Sequence, residues 1–150
     1  VNRMEHLILE SGGTISFVFH CLLILFFAFV LFNIYLNPKF IEDSGFKSNE
    51  ATLMFKGPVG TIVLTFFVMS ILLLIDITDN TTDHNIVQYQ FFFVFLLMFF
   101  ALLFLGNLLR FIGIFNLYGL EKKIQNLIFP GVGLVLVILK IATYAEPAIS

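Results

Sequence analysis

Residues 15–36, 59–77, 90–112 and 127–145 form four runs in which Phe, Leu, Ile and Val follow one another with few interruptions. Each approaches or exceeds the roughly twenty residues that an α-helix needs to cross a hydrocarbon core ~30 Å thick. The fold class expected is therefore all-α: a polytopic membrane protein with four transmembrane helices and short loops, forming one domain over 1–150. Composition agrees, with 59% hydrophobic and 12% charged residues and a mean hydropathy of +1.02, where soluble domains carry about a quarter charged residues. The first run is too long for the apolar part of a cleavable signal, and Glu5 and Glu10 accompany Arg3 before it, so it reads as a retained span.

The connections leave no room for a soluble domain. Residues 37–58 carry Asn37-Pro38, Ser44-Gly45 and Gly57-Pro58 as turn signals, 78–89 are polar, and 113–126 are amphipathic. Four spans put the first and third connections on one side, and with them Lys39, Lys47, Lys56, Arg110, Lys122 and Lys123. Arg3 and Lys140 fall on the other side. Positive charge in short loops marks the inner face, so both termini are expected on the outer side. Asn80-Thr81-Thr82 is a glycosylation sequon there, but it lies so close to the end of span two that a structural turn is the expectation.

A faint duplication is visible between 1–80 and 81–150. "FNIYLNPK" after span one parallels "FNLYGLEK" after span three, matching Phe32, Asn33, Tyr35 and Lys39 with Phe115, Asn116, Tyr118 and Lys122. "GPVG" at 57–60 likewise parallels "PGVG" at 130–133. Two-span units repeated about an axis along the membrane normal would produce this pattern, although interfacial Tyr and Lys at span ends arise without duplication.

Signatures of chemistry are sparse. A net charge of −2 with no dense Lys/Arg cluster argues against a nucleic-acid surface. The single Cys21 allows no intrachain disulfide or CxxC pair. His6, His20 and His84 are isolated, without the spacing that converges on a metal or holds a haem. Neither a GxSxG elbow nor a phosphate-cradling glycine loop occurs. No catalytic, metal or cofactor site is expected, and the 21 Phe can reflect nucleotide bias as readily as an aromatic site.

Polar residues inside apolar runs are the remaining clue, because a charge at the bilayer centre costs ~2.5–3.5 kcal/mol on insertion scales. Asp76 and Lys140 stand at similar depth near the outer ends of spans two and four, so they can form an intramembrane pair. The competing reading makes both interfacial, with Lys140 snorkelling past Tyr144. A lone His20 near the outer end of span one is expected to donate a hydrogen bond between helices. At ~100° per residue, Gly106, Arg110 and Gly113 share a face with Asn107 beside them, a stripe suited to helix packing or to contact with a partner or lipid. Counting 1.5 Å per residue from Gln90 places Arg110 about 30 Å along, at the inner boundary. Residues 113–123 then continue as an interfacial helix, and Glu42, Asp43, Glu50 and Glu121 are the intrachain acids for Arg110.

The function expected is a non-catalytic accessory or scaffold subunit of a larger membrane complex of respiratory, transport or secretion type. Membrane lipids and other membrane subunits are the expected partners. A small oligomeric channel or transporter subunit is the alternative, and a lipid- or quinone-handling membrane enzyme using His20 or Asp76 is the third.

Overall fold

The computed structural model describes residues 3–75, 83–114 and 122–145, with the backbone alone at 6, 75 and 83–89. Among these residues the chain is helical throughout, without strands: α1 (Arg3–Glu10), α2 (Thr14–Leu36), α3 (Phe40–Asp43), α4 (Glu50–Met54), α5 (Lys56–Ile75), α6 (Asp83–Phe111) and α7 (Gln125–Ala142). Four segments are long and apolar enough to cross a membrane: Thr14–Leu36, Glu50–Leu74, Gln90–Phe111 and Gln125–Ala142. These match the four apolar runs to within a few residues, apart from the earlier start of the second.

Local chemistry explains the helix ends. Asn49 and Thr52 form a reciprocal capping box, Asn49 Oδ1 accepting from the Thr52 N–H while Thr52 Oγ1 accepts from the Asn49 N–H, both at 2.9 Å. That cap starts α4, which runs through Phe55 into α5, so Gly57-Pro58 opens a helix where the sequence indicated a turn. Proline is tolerated there because N–H groups of the first turn have no intrahelical acceptor. At the other end of the bundle's third long helix, Gly113 adopts φ +86°. Its N–H bonds to the Arg110 carbonyl and that of Ile114 to the Leu109 carbonyl, the paired bonds of a Schellman stop. Helix α6 therefore ends at Phe111, and Gly113 is its terminator, lying beyond the helix face on which the sequence placed it. Residues 115–121 of the expected interfacial helix, including the Phe115, Asn116 and Tyr118 of the duplication, lie outside the described residues.

Helix α2 packs against α5 and α7, and α7 packs also against α6. The buried residues of α2 are Ser16, His20, Leu23, Phe27 and Ile34, and those of α7 are Pro130, Gly133, Val137 and Lys140. Spacings of three and four put each set on one stripe. Phe66, Ser70 and Leu73 of α5, and Phe92, Phe93, Leu96 and Phe100 of α6, are buried in the same rhythm. Phenylalanine rings fill the centre: Phe66 meets Phe99 edge-on at 5.0 Å, and Phe27 stacks on Phe100 at 6.1 Å. Contacts of Phe66 with Phe95 and Phe99 join α5 to α6 and close the bundle.

Glycines permit the closest approaches. A Cβ on Gly133 would lie 2.6 Å from Cε1 of Phe100, and one on Gly60 would strike the Tyr35 hydroxyl. The last glycine of "GPVG" and the last of "PGVG" are thus both contact glycines. Gly106 has open space around it.

Candidate functional site

The polar residues of the core gather at one end of the bundle. Antiparallel packing brings the start of α2 beside the ends of α5 and α7, so Ser16, His20, Ser70 and Lys140 meet although 124 residues separate Ser16 from Lys140. All four are buried, as is Ser11 in the turn between α1 and α2.

Lys140 is the centre of this layer. Its side chain is 1% exposed, which overturns the reading in which it snorkels to the interface. Nζ donates to the Ser11 carbonyl at 2.6 Å and to Ser16 Oγ at 2.7 Å. Ser16 Oγ in turn donates to the Lys140 carbonyl at 3.2 Å. The rings of Phe93 and Tyr144 sit 5.3 and 5.7 Å from Nζ, within cation–π range. Asp76, the partner suggested by depth, lies outside the described residues.

His20 lies one turn below. Its Nε2 is 2.8 Å from the Ser70 carbonyl, and because a carbonyl only accepts, Nε2 carries the proton of that bond. The imidazole meets Phe93 edge-on at 5.3 Å, so α2, α5 and α6 are joined at one side chain. Ser70 Oγ donates to the Phe66 carbonyl of its own helix at 2.7 Å. Replacing His20 with phenylalanine keeps a ring in the cavity but removes the interhelical bond. The expected loss is about 1 kcal/mol of bundle stability, in the range found for hydrogen bonds between membrane helices, read from reversible unfolding in mixed micelles.

Beside this layer, a crevice of about 240 Å³ opens between α6 and α7, lined by Gln90, Phe93, Val94, Lys140, Ile141 and Tyr144. Cys21 is a half-buried free thiol on α2. Among the described residues no cluster of His, Cys, Asp and Glu could hold a metal ion.

The stripe at the other end of α6 is separate from this site. Gly106 is exposed on the outside of the bundle and Asn107 and Arg110 are half-buried. Asn107 Nδ2 donates to the Leu103 carbonyl of its own helix at 2.8 Å. Arg110 stands in the last turn of α6, where the carbonyl end of the helix dipole favours a cation. No ion pair joins it to Glu42, Asp43 or Glu50 among the described residues, and Glu121 lies outside them.

Sequence reasoning missed Ser11, Ser16, Ser70 and Tyr144 as partners of the two polar residues it named. The available signal was the three- and four-residue spacing that puts Ser16 and His20 on the Leu23–Phe27 stripe.

The fold and this layer define an all-α protein of four long apolar helices tied at one end by buried hydrogen bonds. Compared with protein-family models, curated proteins and solved structures, the chain has no match.

Proposed function

We propose that this chain is an integral membrane protein with both termini on the outer side, serving as a non-catalytic accessory or scaffold subunit of a larger membrane assembly. One observation carries the reading: the buried polar side chains of the spans, and several exposed ones, bond to the chain itself. In the interior, no buried side-chain nitrogen or oxygen among the described residues lacks a partner. On the outside, Asn33, Thr61, Thr65 and Asn107 donate to the carbonyl four residues back on their own helices, at 2.8 to 2.9 Å. The outer surface is therefore apolar, with Leu25, Phe29, Phe91, Met98 and Leu102 each more than half exposed. Such a surface suits lipid and the apolar faces of neighbouring subunits.

Arg110 supplies the polar end of that contact. An inner-boundary cation with no carboxylate paired to it among the described residues suits an acidic partner residue or a lipid phosphate. Arg110→Ala is expected to leave the isolated bundle within about 0.5 kcal/mol of the parent, as for surface changes generally, while reducing the recovery of co-purifying membrane proteins after mild solubilisation. Stoichiometric partners in the parent preparation support the proposal. A stable monomer with intrinsic enzymatic activity, or reconstituted flux that depends on Arg110, would overturn it.

A further inference from the structure

We infer that the end of α6 seats one anionic phospholipid, with Arg110 and Lys122 taking its phosphate and the notch at Gly106 taking an acyl chain. The two cations reach this place by different routes. Arg110 stands in the last turn of α6. Lys122, three residues before α7, brings Nζ to 3.4 Å from where a Cβ on Gly113 would sit, and Gly113 is three residues past Arg110. Neither cation is paired with a carboxylate among the described residues. The carbonyl end of α6 draws both to this spot, and a phosphate bound there supplies the negative charge that no described carboxylate provides.

The surrounding surface sets the depth. Leu102 and Leu105 before Arg110, and Ile112 and Ile114 after it, are 49% to 68% exposed. The cations are thus set in an apolar surface at the end of a span, the level at which basic groups meet lipid headgroups.

The shape beneath them selects a lipid over a partner helix. Gly106 lies one turn before Arg110 on the same face; it is exposed, and a Cβ there would meet nothing within 4 Å. Leu102, Leu103 and Leu105 stand exposed around it. Helices approach closely in lipid where small residues recur along a face. One glycine among exposed leucines instead leaves a notch that admits a hydrocarbon chain and is too short for a helix. The inference rests on the membrane reading above and takes the lipid of the two ligands named there for Arg110; it holds whether or not the chain has subunit partners.

The test is retention of phosphatidylglycerol against phosphatidylcholine by the purified full chain in nonionic micelles, titrated and read by native mass spectrometry. The parent is expected to bind phosphatidylglycerol at least about tenfold more tightly, and Arg110→Gln and Lys122→Gln each to weaken it roughly fivefold, at about 1 kcal/mol per cation. Gly106→Leu, which has room to fold, is expected to weaken it roughly threefold by filling the notch, since contacts in lipid are won by packing. Lys39→Gln, an exposed lysine at the same end of the bundle, is expected to change nothing. Equal retention of the two lipids by the parent would overturn the seat and leave the membrane reading standing. A loss in Lys39→Gln equal to that in Arg110→Gln would also overturn it, by showing diffuse attraction. Competition by glycerol phosphate at the affinity of the lipid would overturn the acyl-chain notch, and a photocrosslinking group at Ile112 that captures protein rather than lipid in native membranes would give the cations to a partner. Release of the chain from native membranes by alkaline carbonate would overturn the membrane reading and the seat with it.

Discussion

Replacing Gly133 with leucine is expected to open the seam between α6 and α7 and lower bundle stability by about 3 kcal/mol, the upper end of the range for overpacking a core. Even the first added atom has nowhere to go: it would lie 2.6 Å from Cε1 of Phe100 and 2.8 Å from Cδ1 and Cζ. Phe100 is itself wedged, with Phe99 at 5.5 Å, Phe26 at 6.0 Å and Phe27 at 6.1 Å. The ring cannot swing aside without disturbing the aromatic centre. Two neighbouring glycines provide the contrast. A Cβ on Gly131 meets only the half-buried Phe104, at 3.4 Å, and one on Gly106 meets nothing within 4 Å. Gly131→Ala is expected to be nearly neutral. Gly106→Ala should stabilise α6 by up to about 1 kcal/mol through helix propensity. Reversible unfolding of the three variants in mixed micelles gives the comparison, and equal losses at 106 and 133 would contradict the assigned packing.

Lys140→Ala is the second large effect, with an expected loss of about 3 kcal/mol. The substitution removes the donor to the Ser11 carbonyl, takes one of two bonds from Ser16 Oγ, and empties the space beneath Phe93 and Tyr144. A buried acceptor left without its donor costs about 1–3 kcal/mol, and the cavity adds to it. Ser16 retains its bond to the backbone carbonyl of residue 140, which limits the damage. Lys140→Met fills most of the space and is expected to cost about 1 kcal/mol, chiefly for the orphaned Ser11 carbonyl. A larger loss for methionine than for alanine would show that filling the space does not govern stability at this position.

The position of each span was legible in the sequence because a long apolar run has one economical solution in lipid, although the capping box at Asn49 starts the second earlier than its apolar run. Which face each helix buries was not. On α2, Leu23 and Phe27 are buried while Leu25 and Phe29 are exposed, the same residue types on opposite faces, since lipid and core accept the same side chains. Hydropathy cannot separate them. Glycine was misleading for a related reason: Gly106, conspicuous beside Asn107 and Arg110, touches nothing, while Gly133 in the less conspicuous "PGVG" makes the tight contact.

Depth counting placed Lys140 near the C-terminal end of its span, where the last turn of α7 holds it, and assigned the wrong environment. A lysine at that level can reach water along its own stem. Here the chain before α2 turns back at Ser11 and presents a carbonyl to Nζ, an arrangement between residues 129 positions apart and invisible to local pattern. His20 was easier, since a single imidazole in an apolar helix has few uses besides bonding a neighbour, and Ser70 is that neighbour.

The central claim is that the buried polar groups of the four-helix bundle bond to the chain itself, with Lys140 enclosed at its core. Acetylation of the native protein in nanodiscs with a membrane-impermeant amine reagent, mapped by peptide mass spectrometry, tests it most directly. Lys39, Lys47 and Lys122 are exposed and are predicted to react fully, while Lys140 remains unmodified until the bundle is unfolded. Acetylation of Lys140 at the rate of Lys39 would contradict the account.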